Sequence, residues 1–244
     1  MYGWRARLGL IVPSSNSVME SEFYRFLSQG CSLHTSRVPF TEVTEEALLR
    51  MKDHLIGAAE LLKDVEADII IYGCTSGSFI KGKGYDAELE QKIESTVGIK
   101  AITTSSAVLK ALDLLHVKSL SVATPYPDEI NAAEKRFLED NGYEVLNITG
   151  LGIRSNLDNG RQQPEAAFRI AKEAFVREAQ AVFISCTNFR TFEVIPLLEQ
   201  DLGVPVITSN QASLLLCYRA LGIREEIPRL GTLGTLYCRC NSEA

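Results

Sequence analysis

The sequence offers little that the familiar routes to membrane attachment, metal chemistry or nucleotide use require. Its first apolar run, Leu8-Gly9-Leu10-Ile11-Val12, stops at Pro13, far short of the roughly 20 residues that span a bilayer. The run is also too short for the core of a secretory signal, so a cytoplasmic location is expected. Histidine is scarce. His34, His54 and His116 stand beside no cysteine or serine motif, which leaves a Cys–His or Ser–His pair unsupported. No phosphate-binding glycine fingerprint follows an apolar run. No group of residues has metal-ligand spacing, and Cys238-Arg239-Cys240 lacks the second pair that zinc needs. The expectation is a protein with no cofactor and no metal. Basic residues do not outnumber acidic ones, and a net charge of −6 argues against nucleic acid or an anionic membrane as partner. A small anionic substrate is not excluded, because local amides and hydroxyls bind an anion whatever the global sign. Six cysteines in 244 residues are too sparse for a disulfide scaffold, and Cys31 and Cys217 read as small core residues.

What the chain does contain is one half-molecule written twice. Ala67-Asp68-Ile69-Ile70-Ile71-Tyr72-Gly73-Cys74-Thr75-Ser76 is matched by Ala179-Gln180-Ala181-Val182-Phe183-Ile184-Ser185-Cys186-Thr187-Asn188. Each is a short apolar, β-branched run closed by small polar residues, the pattern of a parallel strand covered on both faces. The cysteines are 112 positions apart (186 − 74), and the same shift carries Pro13 onto Pro125 and Gly30 onto Gly142. Gly98 matches Gly203 at a shift of 105, so the first copy holds 7 extra residues, placed in a loop from Gly77 to Gly84.

Strands alternate with helices throughout, which predicts α/β architecture: two pseudo-twofold-related halves, each a short parallel sheet flanked by helices. The halves are expected at residues 1–115 and 116–221, with a tail at 222–244. Helices are expected from Ser17 to Leu27, from Thr41–Thr44 to Val65, and from Thr191 to Asp201. Gly150 to Gln163 is expected to be irregular.

In open α/β sheets the sites lie at the strands' C-terminal ends, which is where Cys74 and Cys186 stand. A thiol leading into a helix meets backbone N–H groups and a favourable dipole, so thiolate near neutral pH is expected. Thr75 and Ser76 follow one cysteine, and Thr187 and Asn188 follow the other. Ser14 and Asn16 follow the first strand, and Tyr126 holds the equivalent place in the second half. Such donors at converging strand ends suit one or two carboxylates, or an enediolate. The geometry expected of a working site is two sulfurs on the order of 7 Å apart. The Gly77–Gly84 loop, with Lys81 and Lys83, is expected to border the entrance as a lid.

The repeated Cys-Thr ends, Val-Pro-Ser-Ser-Asn at 12–16 and Ala-Thr-Pro-Tyr at 123–126 resemble the aspartate/glutamate racemase superfamily. Within it they are similar to the maleate cis-trans isomerase and arylmalonate decarboxylase branch. Asn156-Leu157 in the polar stretch adds to the likeness, while Thr187-Asn188-Phe189-Arg190 also resembles a related group linked to ectoine breakdown. The resemblance covers the chain to about Leu221. It implies flavodoxin-like halves around a cofactor-free, metal-free site, with Cys74 as nucleophile and Cys186 as its proton-handling partner. It also implies that Asn16, Tyr126 and Asn156 bind substrate carboxylates. The decarboxylases lack the first cysteine, so Cys74 points toward isomerases and racemases. The leading expectation is a cofactor-independent isomerase of a small unsaturated dicarboxylate. A two-base racemase, a malonate-type decarboxylase and a non-catalytic small-acid binding protein are the alternatives. A homo-oligomer stays open.

Overall fold

The computed structural model describes residues 2–238; Arg239 and Cys240 of the Cys238-Arg239-Cys240 run lie outside them. In chain order the first half comprises β1 (Ala6–Pro13), α1 (Met19–Arg25), β2 (Cys31–Val38), α2 (Glu45–Arg50), α3 (Lys52–Asp64), β3 (Ile69–Tyr72), α4 (Thr75–Phe79), α5 (Tyr85–Val97), β4 (Ala101–Thr103) and α6 (Thr104–Leu114). The second half comprises β5 (Ser119–Thr124), α7 (Asp128–Asp140), β6 (Glu144–Gly150), α8 (Asn156–Arg161), α9 (Pro164–Ala174), β7 (Ala181–Ile184), α10 (Ile195–Leu202), β8 (Val206–Thr208) and α11 (Ser209–Ala220). A 3₁₀ turn at Pro228–Leu230 and α12 (Gly231–Leu236) follow.

The sheets have the same order, β2-β1-β3-β4 and β6-β5-β7-β8. Every strand pair is parallel. This is the two-sheet α/β architecture that the duplicated sequence predicts. β3 and β7 are buried at every position because helices cover both faces. Fully burying each of their aliphatic side chains contributes on the order of 1.5–3 kcal/mol. Leu48, Met51, Leu55, Ala58 and Leu62, spaced for one helical face, are all buried.

Several boundaries differ from the expectations, and tertiary hydrogen bonds explain them. The segment before α2 starts late because residues 41–43 lie beside 154–156. Val43 N–H donates to the Arg154 carbonyl and Asn156 N–H to the Thr41 carbonyl. The expected helix to Val65 is also divided at Met51. The stretch from Gly150 to Gln163 contains α8, whose Ser155 cap accepts from Asp158 N–H. The start of α10 moves to Ile195 because the Thr191 and Phe192 amides donate to Glu22 instead of entering a helix. Beyond Gly222, where no period was expected, α12 packs against α10 and β8.

Helices α6 and α11, equivalent in the repeat, pack against each other where the halves meet. Both begin with a capping box. Thr103 accepts from Ser106 N–H and Thr208 from Gln211 N–H, and each third residue's side chain reaches back to the cap amide. Removing the second cap should loosen the helix start that carries Ser209. Thr208→Ala should therefore cost roughly 1 kcal/mol, read as a lower urea midpoint at unchanged denaturant slope; an unchanged midpoint would contradict it.

Candidate active site

Each cysteine sits just past its strand, at the turn into the next segment, and each is only 4% exposed. Cys74 is the N-cap of α4, and its sulfur accepts from Gly77 N–H at 3.3 Å. Ser76 Oγ lies 3.9 Å from the same sulfur. A side chain at 77 is forbidden here, since a Cβ would stand 2.5 Å from the Tyr72 hydroxyl oxygen and 2.9 Å from the Cys74 sulfur. Cys186 mirrors this arrangement: its sulfur accepts from Asn188 N–H at 3.3 Å. Its φ is +102°, a backbone state that costs on the order of 1–3 kcal/mol for a side-chain-bearing residue.

Hydrogen bonds that cross between the halves hold the strained turn. Thr75 Oγ1 lies 2.9 Å from Ser209 Oγ, which accepts from Cys186 N–H at 3.0 Å. Thr187 Oγ1 donates to the Gly73 carbonyl at 3.0 Å and accepts from Asn16 Nδ2 at 3.2 Å. Asn188 Nδ2 donates to the Asn156 carbonyl at 2.6 Å, and Asn156 Nδ2 donates to Ser15 Oγ at 2.7 Å. Tyr126 favours the charged form of Cys186, and a charge on Cys74 opposes ionisation of both Cys186 and Tyr126. The structure thus gathers Cys74, Thr75, Ser76, Cys186, Thr187, Asn188, Tyr126, Asn16 and Asn156 around one junction.

Ser14 lies at its edge, sharing the Phe40 carbonyl with Ser15. Ser14 is exposed, and its hydroxyl exchanges bonds with the Phe40 backbone. The Gly77–Gly84 loop is also corrected. Its first three residues belong to the buried helix α4, because Gly77 is needed against the Cys74 sulfur. Lys81 covers the Tyr85 ring, and Lys83 reaches the Asp140 carbonyl.

The thiols are not poised as thiolates. Burial pushes Cys74 up to about 11, against the lowering effect of the Gly77 amide and Ser76 hydroxyl. Burial likewise pushes Cys186 up to about 12, opposed by Tyr126 and the Asn188 amide. The helix-start amides are present as expected, but desolvation outweighs them. Among the described residues no group of three His, Cys, Asp or Glu could hold a metal ion, and no helix is long and apolar enough to cross a membrane.

The family model described as arylmalonate decarboxylase matches residues 8–233. The chain belongs to the arylmalonate decarboxylase family. Among its curated relatives is the maleate isomerase of Geobacillus stearothermophilus, 27% identical over 241 residues, covering 93% of this chain and 96% of that one. The crystal structure of maleate isomerase Iso from Pseudomonas putida S16 matches with a TM-score of 0.90 at 25% identity, covering 95% and 99%. A cysteine-to-serine mutant of Nocardia farcinica maleate cis-trans isomerase, with a covalently bound succinylcysteine intermediate, shares the fold with a TM-score of 0.91 at 22% identity, covering 94% and 98%. The expected branch of the racemase superfamily and the expected maleate isomerase-like enzyme class are both met by these matches.

This family member also carries polar groups that the sequence reading passed over. Ser209 and Asn210 open α11, and Asn210 Nδ2 bonds both Glu22 and the Thr187 carbonyl. Glu22 and Glu134 are buried. Their signal was present, because each interrupts the apolar face of its helix: Met19, Glu22 and Phe23 in one, Ile130, Glu134, Phe137 and Leu138 in the other. The repeat shift relates them too (134 − 22 = 112).

Burial raises Glu22 from 4.5 to about 7, although the Phe192 and Thr191 amides and Asn210 favour its charged form. The folded protein therefore holds a proton that the unfolded chain releases. Stability should fall as pH rises from about 4.5 to about 7 through this group, by a few kcal/mol at most, and level off above that range. Urea unfolding at a series of pH values should show a shallower fall across that range in Glu22→Gln. Parallel curves would contradict the assignment.

Proposed function

We propose that the protein is a cofactor-independent cis-trans isomerase of a small unsaturated dicarboxylate, maleate to fumarate being the model case. The observation that carries this reading is the pair of buried thiols at repeat-equivalent strand ends, each accepting a backbone N–H at its sulfur, within a shell of uncharged donors. Cys74, as thiolate, adds to one carbon of the double bond. The π electrons move into the neighbouring carboxylate as an enediolate, and the former double bond becomes single. The hydroxyls of Tyr126 and Ser76 are assigned to that developing charge, beside Thr75, whose own hydrogen goes to Ser209. Cys186 gives its proton to the second carbon, leaving a succinyl thioether on Cys74. Rotation about the single bond follows. Cys186 takes the proton back, Cys74 leaves with its electron pair, and the trans product is released with both sulfurs as they began.

Asn16 and Asn156 each use one amide hydrogen inside the protein. The second hydrogen on each nitrogen is assigned to a substrate carboxylate, while Thr187 and Asn188, whose side-chain hydrogens go to the Gly73, Asn156 and Ser15 carbonyls, shape the pocket around it. The succinylcysteine described for the Nocardia enzyme is the adduct this route requires. Because both thiols face one junction, a two-base racemase is the runner-up.

The test is turnover of maleate by single variants. Cys74→Ser and Cys186→Ser should each lower kcat by several orders of magnitude with the fold intact, because a hydroxyl of far higher pKa supplies no anion. Cys31→Ser should leave turnover alone. Full activity in either of the first two variants would overturn the mechanism. Interconversion of amino acid enantiomers by a parent protein inactive on maleate would establish the runner-up.

A further inference from the structure

Behind Cys186 lies a buried carboxyl group to which the mechanism above gives no role. Glu134, on α7, is 1% exposed. Its Oε1 accepts from Ser185 Oγ at 2.6 Å, and Ser185 is the residue immediately before Cys186. Its Oε2 is buried without a hydrogen-bond partner among the described residues. Among the described residues no cation acts on it, and a charge on it opposes ionisation of both Cys186 and Tyr126. The elements packed on α7 add little: α4 contains no ionisable side chain, and β6 contains only the exposed Glu144.

Glu22, its repeat equivalent, behaves differently. Three donors converge on that carboxylate, and they hold the segment after Cys186 from the other side. The turn at +102° is thus braced by one glutamate before it and one after it. Of the two glutamates only Glu134 is left with an unmatched carboxylate oxygen, and such a buried atom costs free energy.

We propose that Glu134 is a positioning residue for Cys186: through Ser185 it fixes the strand end that presents the thiol, and as a neutral acid it keeps the site's negative charge low enough for that thiol to ionise. The inference rests on the reading of Cys186 as the proton-handling group. Burial raises the carboxyl to about 8, which agrees with an acid that is neutral at pH 7 and ionises in mild alkali. Ionised, it would place a negative charge beside Cys186 and Tyr126, opposing thiolate formation.

The substrate-free test is alkylation of Cys186 by iodoacetamide between pH 6 and 9.5 in a Cys74→Ser background, mapped by peptide mass spectrometry. In the parent the rate should climb with pH, slacken around pH 8 as Glu134 ionises, and then climb again. In Glu134→Gln, which keeps an acceptor for Ser185 and cannot ionise, the climb should continue, leaving Cys186 several-fold more reactive at pH 9. Superimposable profiles would overturn the electrostatic role. Positioning is read separately by maleate turnover with Cys74 in place. Glu134→Ala and Ser185→Ala should lower kcat per folded molecule roughly 10–100-fold with KM little changed, and Glu134→Gln should recover much of the loss. Undiminished kcat in Ser185→Ala would overturn positioning, even where Glu134→Ala fails to fold. The alkylation result stands whether or not maleate is the substrate, so the two readings fail separately.

Discussion

The site depends on polar contacts that cross between the halves. Cys186 N–H is held by Ser209, which Thr75 from the opposite half bonds in turn. Thr187 returns the contact to the Gly73 carbonyl, one residue before Cys74. Each cysteine-bearing strand end is therefore anchored by a residue beside its counterpart. The sheets bring these ends close, but the crossed bonds fix them, and they hold Cys186 in a backbone state that a side chain does not adopt freely. Moving either half would disturb both thiols together.

Burial gives this arrangement its chemical character. Desolvation raises both thiols, Tyr126, Glu22 and Glu134. The resting site therefore stores protons and carries little charge, which would favour entry of the dianionic substrate proposed for it. The cost is a small thiolate fraction, so the amides of Gly77 and Asn188 and the Tyr126 phenol matter as partial compensation. A neutral, hydroxyl-rich site in a low-dielectric setting is the environment in which an enediolate gains most from fixed donors.

Much of the fold was legible because the chain repeats itself. The doubled strand motif gave the two sheets, and both cysteines fell at strand ends as the pattern required. The late start of α10 was not legible, since it is set by Glu22, more than 160 residues away in the chain. Local periodicity likewise read residues 41–44 as a helix start, although their partners lie at 154–156. Among the candidate donors, residue type placed Thr75, Thr187, Asn16 and Asn156 near the junction but could not separate them from Ser14, whose partner is a loop carbonyl at Phe40. The helix dipole suggested activated thiols, because the N–H groups are visible in a sequence and the depth of burial is not. Glu22 and Glu134 could have been found as charged residues on apolar faces at the same place in the repeat.

The central claim is that Cys74 forms the covalent bond and Cys186 handles the proton. The most direct measurement is to incubate Cys186→Ser protein with maleate, digest it and map the modified peptide by mass spectrometry. The account predicts a succinyl group on Cys74: the thiolate adds, the enediolate takes its proton from the serine hydroxyl or water, and the serine, being far less acidic, supplies no anion to take a proton back. A succinyl group on any other residue, or none on Cys74 while the variant still binds maleate, would contradict it.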